Sequence, residues 1–88
     1  MKSRQIYEYV SYILTGLGYD AVRSPPVAKE LVYGFAEGKG PYAILEPGET
    51  KVTWTSAINS DRLRTSRGIA IVLDVKLVFE GFLETANA

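Results

Sequence analysis

The chain has no cysteine and no histidine among its 88 residues. Without Cys there is neither a disulfide framework nor a thiolate metal site. Without His the usual general base and the commonest metal ligand are missing. An enzyme built from this sequence would have to work with carboxylates, Lys or Tyr alone. No catalytic, cofactor-binding or metal-ligating residue is therefore assigned, and no enzyme activity is expected. Net charge is absent too, because ten basic and ten acidic residues cancel. A neutral chain with a pI near 6.2 lacks the basic excess of a general nucleic-acid binder. Zero net charge also does little to oppose association. No apolar run approaches the roughly 18 residues that a membrane span requires. Gln5, Glu8 and Ser11 interrupt the stretch behind Lys2 and Arg4 that would otherwise read as a secretory leader. The chain is expected to be soluble and intracellular.

What is present fits one small domain, residues 1–88, with 47% hydrophobic residues to fill its core. Ile6, Tyr9, Val10, Ile13, Leu14 and Leu17 recur at helical spacing, so an amphipathic helix is expected over 3–17, capped by Ser3 and stopped at Gly16 or Gly18. Tyr7 and Tyr12 lie off that stripe. Tyr is enriched at interfaces, which makes both candidates for contact with a partner; packing within the domain is the alternative. Ser24-Pro25-Pro26 reads as a connector. Residues 27–37 are open to two readings. As a helix, Ser24 would cap it, Pro25 would take its first position, and Val27, Leu31 and Phe35 would align. The β-rich LVYGF with its interior Gly34 favours a strand over 30–35, turning at EGKG into a second strand over 41–46.

Pro47-Gly48 is a further turn signal, followed by a strand at 51–55 that holds Trp54, the only Trp. A polar loop over 56–66 leads into GIAIVLDVKLVFEGF. There Ile69, Ile71, Leu73, Val75, Leu77 and Phe79 alternate strictly with Ala70, Val72, Asp74, Lys76, Val78 and Glu80. Period two marks a strand with one buried face, expected over 67–80 and unusually long at about 3.3 Å per residue. The fold class expected is α+β, with an N-terminal amphipathic helix packed on a mostly antiparallel sheet of about four strands, the last of them long.

Two features carry the functional expectation. Between Lys51 and Arg67 the chain holds Lys51, Arg62, Arg64 and Arg67 against Asp61 alone. Arg serves interfaces and phosphates equally well, because its planar fork donates paired hydrogen bonds; a solvated loop is the plain alternative. The second face of the long strand carries Val72, Asp74, Lys76 and Val78, too apolar to be left bare on an exposed strand. These residues, with Tyr7, Tyr12, Arg62, Arg64 and Arg67, form the expected protein interface. The glycines of GFAEGKGPY lack the spacing of a phosphate-binding loop.

The order of helix, LVYGFAEGKGPYAIL, polar loop and long strand resembles the small tail-completion or tail-terminator proteins of long-tailed bacteriophages. Val32-Tyr33 and Pro41-Tyr42 stand at the family's strand starts, and the resemblance covers residues 6 to 80. It implies a virion structural protein at the head–tail junction, assembled in the host cytoplasm. Such a protein acts as a ring of identical subunits, often a hexamer, and contacts other virion structural proteins. A neck, tube or baseplate component is a neighbouring reading. Members of the family generally carry a second helix after the middle strands, for which the sequence pattern leaves no room. The competing expectation from another class is a small nucleic-acid-binding or regulatory module using Arg62, Arg64 and Arg67, whose binding would fall steeply with salt.

Overall fold

A computed structural model describes residues 3–86 apart from Asp61, and the side chains of Ser3 and Pro25 are likewise outside the description. The capping role expected of Ser3 and the charge of Asp61 thus lie beyond it. The elements run α1 (Ser3–Gly16), α2 (Pro25–Ala36), β1 (Tyr42–Leu45), β2 (Thr53–Thr55), β3 (Leu63–Thr65), β4 (Gly68–Asp74) and α3 (Val75–Ala86). The class is α+β as expected, with a four-stranded sheet in the order β2-β1-β4-β3 and every neighbouring pair antiparallel.

α1 forms on its expected stripe, with Ile6, Val10 and Leu14 buried and Tyr9 and Ile13 packed beside them, except that Leu17 lies past its end and is exposed. Its end is set by Gly18, whose positive φ lets the Tyr19 amide donate back to Leu14 O and the Gly18 amide to Thr15 O. That is the paired bonding of a Schellman cap. Gly38 closes α2 in the same way, with the Lys39 amide donating to Gly34 O and the Gly38 amide to Phe35 O.

Residues 25–36 are helix, not the strand preferred from their composition. Pro25 occupies the start of the helix and Ser24 the position before it, though the Ser24 side chain makes no capping bond. The deciding pattern is burial at Val27, Ala28 and Leu31, a spacing that a strand cannot turn to one side. Gly34 is buried in the helix interior for a packing reason. A Cβ there would overlap the Trp54 indole, falling 2.7 Å from Cε2. The bare backbone lets β2 lay its ring flat against α2. The indole Nε1 is buried there and donates to no acceptor among the described residues.

The sheet offers one face to the helices. Ala43 and Leu45 on β1, Leu73 on β4 and Val52 ahead of β2 are buried in the same core as Leu14, Leu31, Phe79 and Phe82. Register pairs Ala43 with Leu73 and with Trp54. β3 lies inside the stretch expected to be a polar loop. It pairs with β4 through a tight turn at Ser66-Arg67, where Thr65 Oγ1 donates to Gly68 O and accepts from the Arg67 amide.

β4 is the longest strand, but it stops at Asp74 rather than continuing to residue 80, and the chain passes directly into α3. The Asp74 carboxylate accepts the Leu77 amide at 3.1 Å, the bond an N-cap makes to the third residue of its helix. Val75, Phe79 and Phe82 then face the core. The helix runs on through Glu84 to Ala86.

Gly34→Ala is expected to destabilise the fold by about 1–3 kcal/mol, the cost of overpacking a filled site. Gly16→Ala, where a Cβ meets nothing within 4 Å, should be neutral or stabilising. Paired urea denaturation of the two variants checks this, and equal effects would contradict the packing role.

Candidate functional site

The nine expected interface residues are spread over several surfaces. On α1, Tyr12 is 75% exposed and Tyr7 is half-buried. Arg62 precedes β3, Arg64 lies at its centre and Arg67 is in the β3–β4 turn, all three exposed. Arg67 is engaged within the chain: its guanidinium meets the Glu49 carboxylate at 2.9 Å. The Glu49 carbonyl accepts from Tyr19 Oη, so one residue ties the end of α1, the Pro47-Gly48 turn and the β3–β4 turn together. Arg64 pairs across the ladder with Ile69 on an edge strand, where a charge guards against unwanted strand pairing.

Val72, Asp74, Lys76 and Val78 do not form one strand face, because the chain changes from strand to helix between Asp74 and Val75. Val72 is half-buried on the sheet face turned away from the helices, beside Ile44 in register. Asp74 serves as the cap of α3. Lys76 is exposed on the first turn of α3, and Val78 packs against the core. A loop of the protein stands beside the free sheet face. Tyr42, Val72 and Asp74 form one side of a cleft whose other side is Ile58, Asn59 and Ser60 of the loop between β2 and β3. That loop is braced locally, with Thr55 Oγ1 donating to Ala57 O and Ser60 Oγ donating to Arg62 O.

An apolar recess on the helical layer was not foreseen from sequence. Ile6 of α1, Val32, Phe35 and Ala36 of α2, and Phe79, Phe82 and Leu83 of α3 surround a groove of about 360 Å³. Its base is aromatic. Phe35 stacks on Phe79 with centroids 4.5 Å apart, and Tyr9 meets Phe82 edge-on at 5.5 Å. Phe35 is 37% and Leu83 45% exposed, so the walls present hydrocarbon to solvent. No charged or polar side chain is fully buried among the described residues. Nor does any group of carboxylates among them sit so as to hold a metal ion. No helix of the described residues is long and apolar enough to cross a membrane.

A sequence signal for this groove existed. Val75, Phe79, Phe82 and Leu83 are spaced i, i+4, i+7 and i+8, one helical face. Pairs four apart satisfy period two as well, which let the alternation mask it.

Comparison with family models, curated proteins and solved structures finds no match to this chain.

The capping role of Asp74 separates from an interface role by substitution. Asp74→Ala should cost about 0.5–2 kcal/mol of stability, whereas Asp74→Asn and Asp74→Ser, which still accept the Leu77 amide, should restore most of it. Thermal unfolding of the three variants checks this. Equal losses in all three would contradict it.

Proposed function

We propose that the chain is a structural assembly protein that associates with copies of itself and with other virion structural proteins. In this reading it is a tail or neck component of a long-tailed phage, built as a ring. The observation that carries the assembly reading is the apolar groove of the helical layer, with the exposed side chains around it. Phe35 of α2 and Leu83 of α3, which line it, are large, apolar and open to solvent. Contiguous exposed apolar surface on a small soluble domain marks a contact site. Neutral charge supports the same reading, since nothing in the chain's net field resists association.

The phage assignment rests on the sequence resemblance. Of the positions that carry it, Tyr42 opens β1, whereas Val32-Tyr33, expected as a strand start, lies inside α2. The proposed contact surface lies on the helices rather than on the strand and the Arg segment; Arg67 there is paired with Glu49.

Native mass spectrometry across a concentration series tests the reading. It should show species at multiples of the 9.7 kDa chain that grow with concentration. A monomer throughout would contradict assembly.

A further inference from the structure

β4 is flanked on opposite sides by different strands along its two halves. β3 pairs with Gly68, Ile69 and Ala70, and β1 pairs with Ile71 to Asp74. Past the Leu63–Ala70 pair, no strand among the described residues lies on the β3 side of Ile71 to Asp74. Backbone groups of successive strand residues point to alternate edges. The Val75 amide donates to Pro41 O on the β1 side, so Ile71 and Leu73 also turn their backbone to β1. The Val72 N–H and C=O and the Asp74 N–H therefore face the edge that β3 leaves open. Among the described residues no turn or loop bond reaches any of the three.

That edge runs along the cleft of about 400 Å³ between Tyr42, Val72 and Asp74 and the loop residues Ile58, Asn59 and Ser60. The loop is a braced wall: Ser60 Oγ donates to Arg62 O and accepts the Arg62 amide. We propose that the cleft takes one extended segment of a partner protein, which adds to β4 as a strand. An unpaired strand edge is a template for another strand, because its donors and acceptors recur at strand spacing. The loop decides what kind of strand enters. Standing opposite β4, it leaves room for a single chain but blocks the edge of a folded sheet, which excludes a second copy docking through its own β2 or β3. The walls set the side-chain preference. Val72 and Ile58 are half-buried and apolar, so the incoming residue between them is apolar. Asn59 and Ser60 are exposed and polar, and suit polar side chains where the segment leaves the cleft. The cleft lies on the sheet face away from the helices, so this contact is separate from self-assembly through the groove.

Amide hydrogen exchange of the free protein reads the edge directly. Val72 and Asp74 should exchange about tenfold or more faster than Ile71 and Leu73, whose amides face β1. Equal protection of all four would mean a closed edge and overturn the proposal. The probe for the occupant is an arrayed library of synthetic hexapeptides. Those that bind should slow exchange at Val72 and Asp74. They should also bind Val72→Lys about tenfold or more weakly, with circular dichroism to verify its fold. Binding that leaves those two amides unchanged would overturn the proposal, whether or not the variant folds. So would a library in which no peptide binds more tightly than about 1 mM.

Discussion

The change from β4 to α3 at Asp74 is the constraint on which the rest of the molecule depends. The chain leaves the central strand pair without a loop: the Val75 amide still donates to Pro41 O in continuation of the ladder, while Asp74 already caps the helix. Had the strand continued, Phe79 and Phe82 would have run off the end of the sheet. Because it does not, both rings return to the helical layer and are buried against α1 and α2. An 88-residue chain has little apolar surface to spare for its core, and this return supplies two of its largest side chains.

The shape of the helical layer follows from two close fits. Trp54 requires Gly34 to be bare on one side of α2, which pulls the helix onto the edge of the sheet. Phe79 stacks on Phe35 on another side and leaves Leu83 standing above the stack. Three helices over four short strands cannot close every gap between them. The gap that remains is apolar because it lies between core-facing stripes. The groove is thus a consequence of how the core closes.

Much of the architecture was legible in the sequence. The α1 stripe, β1, β2 and the mixed class follow from period and turn residues alone. Two elements misled for identifiable reasons. In 27–37 the aromatic and β-branched LVYGF carries strand propensity, but burial at Val27, Ala28 and Leu31 obeys the helical period, and tertiary packing outweighs propensity. In 69–79, alternation extends across a helix start because Val75 and Phe79, four residues apart, satisfy both periods. The informative residue was Asp74, a strong N-cap in the middle of the run. With β4 ended at Asp74, the residues expected on one long strand face divide between β4 and α3.

The proposed assembly through the helical layer rests on a neutral domain whose apolar groove opens between its three helices. Sedimentation equilibrium of the wild type beside a Leu83→Glu chain tests this most directly, with circular dichroism to verify folding. The wild type should associate with rising concentration, and a charge in the groove wall should weaken that association by about tenfold or more in dissociation constant. A monomeric wild type, or a Leu83→Glu chain that associates as strongly, would contradict the account.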